Sequence, residues 1–193
     1  MFSVQVSKLL KLAIAGIALV SQAAFAAPVS FSGELTASDP TFNRPFTTTF
    51  LSGAGTNVAY DVYDFHVSAN GVYSVESTSF TGSNSDTFLA LYQGAFNAAS
   101  PLANLLAVDD DSGAGLLSLI NQALQADNQY FLVFTSYGNN QFGSYTGVFN
   151  AVSGGGQVIL GAEDSNDVPE PGTLALLPLA ALGAAMARRR KRA

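Results

Sequence analysis

The stretch Gln129-Tyr130-Phe131-Leu132-Val133-Phe134-Thr135-Ser136-Tyr137 decides the fold class. It is a run of aromatic, β-branched and aliphatic residues that suit a pleated surface, and it has no glycine or proline to break a ladder. Asp127-Asn128 precedes it and Gly138-Asn139-Asn140 follows it, so turn-forming residues bound it on both sides. It reads as a β-strand with a turn at either end.

Upstream, Thr87 to Tyr92 is a second apolar strand and Leu105 to Val108 a third. From Tyr60 to Val67, residues Tyr63, Phe65 and Val67 share one face of a strand and Asp64 and His66 the other, which leaves the histidine exposed. Ser68-Ala69-Asn70-Gly71 makes a turn, because Asn and Gly tolerate positive φ, and Val72 to Ser77 returns as the hairpin partner. Near the start, Val29, Phe31, Gly33 and Leu35 alternate with Ser30, Ser32 and Glu34 as a half-buried strand, and Phe46 to Leu51 is another. Downstream, Tyr145 to Val152 closes the sheet and Gln157 to Leu160 adds a brief strand. Leu116, Leu119, Ile120, Ala123 and Leu124 recur at helical spacing, so one short helix caps an edge. Short strands at intervals of about ten residues predict an all-β fold, an antiparallel β-sandwich with one short helix, over residues 27–160. Gly154-Gly155-Gly156 and the acidic segment 161–167 read as a flexible linker.

Both ends stand outside this domain. Lys8 and Lys11 precede an apolar run from Leu12 to Val20, and Ala24-Phe25-Ala26 supplies an A-x-A cleavage site. Residues 1–26 therefore read as a helical signal peptide, handed to the export translocon and cut by signal peptidase so that the mature chain starts at Ala27. No cysteine exists to carry a lipid or a disulfide. At the other end, Val168-Pro169-Glu170-Pro171 precedes an uncharged segment over 173–187, and Arg188-Arg189-Arg190-Lys191-Arg192 follows. Fifteen residues of helix span roughly 22 Å against a hydrocarbon core of about 30 Å, which is short for a permanent span. The cations hold the C-terminus on the cytoplasmic side. Two readings follow: a transient insertion that ends in processing, or a plain membrane anchor.

With the ends removed, Arg44 is the only cation left against thirteen carboxylates, a formal net charge of −12 for residues 27–167 against −6 for the whole chain. Such a body repels phosphate backbones, so nucleic acid is excluded as a partner. His66 is the only histidine, which starves both a zinc centre and a Ser-His-Asp triad. Paired carboxylates remain for glycoside hydrolysis, with Asp86 beside Asp109 or Asp111 as the available pairing. The run Asp109-Asp110-Asp111-Ser112-Gly113 offers a second chemistry, because calcium takes six to eight oxygen ligands and Asp109 and Asp111 project together from an extended segment. The competing reading is a solvated acidic turn. Of the tyrosines, Tyr137 and Tyr145 flank the 138–141 loop and are expected to be exposed, as faces for a sugar ring.

Two family resemblances add to this. The order of the tail (Val168 to Pro171, the apolar segment, then Arg188 to Arg192) resembles the PEP-CTERM sorting signal of Gram-negative bacteria. That resemblance implies an exosortase as processing partner, membrane insertion before processing, and delivery to the cell envelope or an extracellular polysaccharide and biofilm matrix. The body resembles the bacterial pre-peptidase C-terminal domain over roughly residues 60–149. The resemblance is carried by Tyr63 to Val67, Asn70 to Val75, Ser85-Asp86-Thr87 to Tyr92, Val108 to Asp111, Ile120 to Leu124 and Tyr130 to Val133. Where that family has a glycine before the tyrosine strand, this chain has Asp127-Asn128-Gln129. The resemblance implies a jelly-roll-like sandwich that is a non-catalytic binding or stabilising module, and it brings Asp86 across the sheet to Asp109 and Asp111 as a calcium ligand.

Overall fold

The computed structural model describes residues 26–154 and 156–161. Over these the chain forms strands β1 (Val29–Leu35), β2 (Thr41–Phe42), β3 (Val58–Val67), β4 (Gly71–Phe80), β5 (Thr87–Gln93), β6 (Leu105–Asp109), β7 (Leu119–Leu124), β8 (Tyr130–Ser136), β9 (Gly143–Ser153) and β10 (Val158–Leu160). All the strand pairings are antiparallel. One sheet has the order β1-β9-β4-β7; the other runs β10-β3-β8-β5-β6, with β2 also on β3. The stretch that opens the sequence reading is β8, paired on both sides, with β3 through Tyr60↔Thr135 to Phe65↔Tyr130 and with β5 through Thr87↔Ser136 to Gln93↔Tyr130.

The inner faces of the two sheets meet. Phe65 of β3 lies 4.8 Å from Phe149 of β9, ring centre to ring centre, and Phe134 of β8 stacks on Tyr145 of β9 at 3.6 Å. Leu89, Leu91 and Leu132 fill the same layer. At one margin Tyr145 donates to Asp61 Oδ2 at 2.5 Å and lies 2.6 Å from the Tyr63 hydroxyl, which also reaches the Ser32 carbonyl at 3.0 Å. This network ties β1 and β9 to β3, and Gly33 makes room for it: a Cβ there would collide with the Tyr145 hydroxyl.

The larger sheet is covered on its outer face as well. Phe42, Val58, Phe88, Ala90, Tyr92 and Val133 form a second apolar cluster there, roofed by Phe96 and Ala98 from the loop after β5. Thr87 through Tyr92 are consequently buried on both sides. The near-continuous apolar character of that strand follows from having no solvent face.

Four expectations are corrected. The helix over Leu116–Leu124 is strand β7, since residues 120 and 124 fall on one face under either a helical or a two-residue period; the helical geometry assigned among the described residues is a single 3₁₀ turn, Ser83–Ser85. β3 and β4 are not hairpin partners, because the turn over 68–70 carries the chain from one sheet to the other. Residues 46–51 form a tight tip closed by a Pro45↔Leu51 bridge, where the Thr47 hydroxyl accepts the N–H groups of Thr49 and Phe50 and so competes with strand pairing. β9 does not close a sheet but runs between β1 and β4. The expected signal and apolar-tail helices lie outside the described residues. Among the described residues no helix is long and apolar enough to cross a membrane.

Truncating Phe134, which is fully buried, is expected to cost about 3–5 kcal/mol in Phe134→Ala. Gly33→Ala is expected to cost about 1–3 kcal/mol by displacing Tyr145. Urea unfolding followed by tyrosine fluorescence measures both.

Candidate functional site

The strongest concentration of charge lies where the connection from β4 to β5, the loop from β6 to β7 and the start of the 43–57 segment converge. One carboxylate oxygen from each of Asp86, Asp110 and Asp111 lies within 4.8 Å of the others. Asp86 and Asp111 thus come together as the sequence suggests. Asp109 does not join them: it is the last residue of β6, and its Oδ1 accepts the N–H groups of Ser112 at 3.1 Å and Leu119 at 2.7 Å. It caps the loop, and Asp110 takes the place in the cluster.

The local sequence explains this arrangement. Asn84 and Ser85 both adopt positive φ, 68° and 52°, an uncommon state for non-glycine residues that reverses the chain just before Asp86. Asp86 then continues toward β5, its carbonyl accepting the N–H of Tyr137 at 3.2 Å. Opposite it, a buried hydroxyl relay fixes the β6–β7 loop. Ser118 Oγ donates to the Asp110 carbonyl at 2.8 Å, so Thr87 Oγ1 donates to Ser118 Oγ at 3.0 Å, while the Ser118 N–H donates back to Thr87 Oγ1 at 2.9 Å. Asp110 Oδ1 and Asp86 Oδ1 are buried without a hydrogen-bond partner. Burial first, and then the charge of Asp111, pushes the Asp110 carboxyl up to about 6. Asp86 is raised for the same two reasons.

Arg44 completes the site. It is fully buried, its guanidinium carbon 4.0 Å from the centre of the Phe88 ring and 4.6 Å from that of Tyr137. Nε donates to the Tyr137 carbonyl at 2.8 Å and Nη1 to the Pro45 carbonyl at 3.0 Å, and Nη2 has no partner. Burial draws its pKa down, and Asp110, ahead of Tyr137 and Asp86, pushes it back up. The sequence signal for this residue is its isolation as the one cation of the body.

His66 is buried, not exposed, with Nδ1 unpartnered, in the part of β3 that β10 flanks through His66↔Ile159. Tyr145 is likewise buried, and Tyr137 is half-buried against Arg44, so neither offers a free face to a sugar. Two shallow hollows, of about 340 Å³ beside Asn84, Ser85 and Leu117 and of about 460 Å³ beside Gln93, Asn104 and Asn128, have no acidic or histidine residue in their linings. Of the cleavage residues, Ala26 and Ala27 precede β1, and Ala24 lies outside the described residues. So do Val168 to Pro171 and Arg188 to Arg192.

In metal-free buffer, Asp110 keeps its proton in the folded chain to about pH 6 but loses it near pH 4 when unfolded. Its stabilising contribution is therefore present below about pH 4 and is lost as pH rises through about 6. Asp110→Asn is expected to flatten that part of the stability profile, read from urea midpoints in EDTA. Arg44→Leu is expected to lose about 2–4 kcal/mol, and Arg44→Lys most of that, since an ammonium cannot reproduce the two carbonyl contacts and the stacking.

Comparison with curated proteins returns no match. Residues 167–191 match the PEP-CTERM protein-sorting motif. That motif supports a PEP-CTERM protein, exported, processed by an exosortase and sorted to the cell envelope.

Proposed function

We propose that this chain is a non-enzymatic module of the envelope or the extracellular polysaccharide matrix, a jelly-roll-like β-sandwich of the pre-peptidase C-terminal kind over 27–160, delivered by its sorting tail. The observation that carries the reading is the match of the sorting motif at 167–191, immediately beyond an all-β body. Proteins with this signal are generally surface or structural proteins. The net charge of −12 over 27–167 favours solubility in a matrix and disfavours nucleic acid.

On this reading signal peptidase releases residues 1–26 after the translocon, and residues 173–187 hold the chain in the membrane until the exosortase acts. Exopolysaccharide is the partner, met without bond cleavage.

Intact mass spectrometry of native protein from membranes and from culture medium tests it, in cells with and without the exosortase. The expected product is a released species that begins near Ala27 and ends near Pro169, and that disappears without the enzyme. A membrane-bound species retaining Arg188 to Arg192 in both strains would replace sorting by a simple anchor. Glu170→Ala is expected to accumulate the membrane-bound form.

A further inference from the structure

We propose that the tip over residues 46–51 seats in the headgroup region of a zwitterionic lipid bilayer and fixes how the domain stands on the membrane that its tail enters. Phe46, Phe50 and Leu51 are 59 %, 68 % and 43 % exposed at this one tip. No charged residue occurs from Pro45 to Tyr60. Single exposed apolar residues are ordinary, whereas a contiguous exposed group marks a surface that meets a partner or a membrane. Leu116 and Phe142 are exposed in loops at the same end of the sandwich, where β3 and β5 begin and β8 finishes. The Leu116 carbonyl accepts the Thr87 N–H at the start of β5, and Phe142 lies in the loop after β8.

The tip is built to enter a region poor in water. The N–H groups of Phe46 and Thr47 donate to the Phe50 carbonyl at 2.7 and 3.2 Å, and those of Thr49 and Phe50 donate to Thr47 Oγ1, each at 3.2 Å. These backbone donors are satisfied inside the tip, which removes much of the desolvation cost that an ordinary loop would meet. Its base is held by Arg44 and by the Pro45↔Leu51 bridge. Asn139 ties the neighbouring loop to the same segment, accepting the Asn57 N–H at 2.8 Å and donating to Thr56 Oγ1 at 3.0 Å. The apolar side chains are thus presented with little backbone left to order on binding. Asp86, Asp110 and Asp111 stand at this end too, and residues 27–167 carry a net charge of −12, so an anionic surface is repelled and a zwitterionic one is not.

The path of the chain brings a bilayer to this end. β10 advances along β3 from Val67 toward Phe65, and the Gly161 N–H reaches the Asp64 carbonyl, so the described chain stops while heading for the start of β3. Asp64 to Val58 covers about 20 Å of strand. Phe42 pairs with Val58, and from there Phe46 is at most about 14 Å further. Residues 162–172 can span up to roughly 36–40 Å, enough for the tip and the uncharged segment 173–187 to meet one bilayer. This seating rests on the reading of 173–187 as a membrane segment.

The chain contains no cysteine, so a single substitution carries a single probe. Thr48→Cys at the tip, Gln125→Cys at the opposite end and Ala180→Cys in the tail segment are each labelled with a nitrobenzoxadiazole fluorophore in the full chain, reconstituted in phosphatidylcholine vesicles. Probes at 48 and 180 are expected to shift to the blue, the one at 48 being quenched by lipid spin-labelled near the glycerol, while the probe at 125 stays as in water. Phe46→Ser combined with Phe50→Ser is expected to abolish the shift at 48 with the melting temperature unchanged, since both side chains are exposed. Added phosphatidylglycerol is expected to weaken it. A shift at 180 with none at 48 would overturn the seating of the tip alone, and none at either would overturn the tail reading with it. A shift at 48 without one at 180 would keep the tip on the bilayer and remove the tail reading. A shift at 48 that survives the double substitution would overturn the seating, as would one that grows with the number of chains per vesicle, which would make a second copy the occupant.

Discussion

A guanidinium held against two aromatic rings, with its Nε and Nη1 spent on backbone carbonyls, is the contact on which the outer half of this domain rests. Arg44 reaches from the segment between β2 and β3 to Phe88 on β5 and to the Tyr137 carbonyl just past β8. Its own backbone is equally committed, its N–H donating to the Gly55 carbonyl at 2.9 Å and its carbonyl accepting from Ser52 at 2.8 Å. The segment so pinned follows directly on Phe42 of β2, which belongs to the second cluster and meets Tyr60 and Phe96 edge-on. Were the segment to lift, Phe88 would lose the guanidinium stacked on its ring. Stacking with two rings offsets part of the desolvation that burying a lone cation entails, and the nearby carboxylates offset more.

Coverage of that second sheet face also explains what could and could not be read from the sequence. Strands announced themselves in the long clusters of aromatic and β-branched residues, Tyr130–Ser136 and Thr87–Gln93, whereas the similar cluster over 46–51 is a tip that its threonine hydroxyls hold. Alternation within a strand says which residues share a face, but not whether the opposite face is wet. His66 was assigned to water on that rule, yet it is buried in the stretch of β3 that β10 flanks. Alternation is also silent about partners. The Asn70-Gly71 turn is real, yet the chain it reverses enters the other sheet, a choice made by long-range packing of Tyr73 and Val75 into the shared core. The β7 segment failed for a narrower reason: Ile120 and Leu124 are four apart, a spacing shared by the helical and the extended repeat.

The acidic site was half legible. Asp86 and Asp111 could be brought together from the pattern of residues, but the choice of Asp109 over Asp110 assumed that the extended backbone continues beyond β6. It does not, because Asp109 turns back to cap the loop and releases Asp110 into the cluster. The partner that shapes the site's electrostatics, Arg44, lies 42 positions before Asp86 and belongs to no motif. Its solitude in an acidic body was the available clue, and composition alone gives such a residue no address.

The position of β10 has a mechanical consequence. Three residues, Val158–Leu160, lie along the edge of β3, braced by the Gln157 N–H on Ser68 Oγ at 2.8 Å and by the Gly161 N–H on the Asp64 carbonyl at 2.8 Å. The sorting motif at 167–191 follows this strand in the chain. Traction on the C-terminal tail therefore loads a short antiparallel ladder before it reaches the aromatic core. Pulled along the strand direction, those hydrogen bonds share the load and yield together; pulled outward, they open one at a time from Gly161. The edge strand acts as a fuse whose rating depends on the angle of pull, and its failure would spare the two-sheet core.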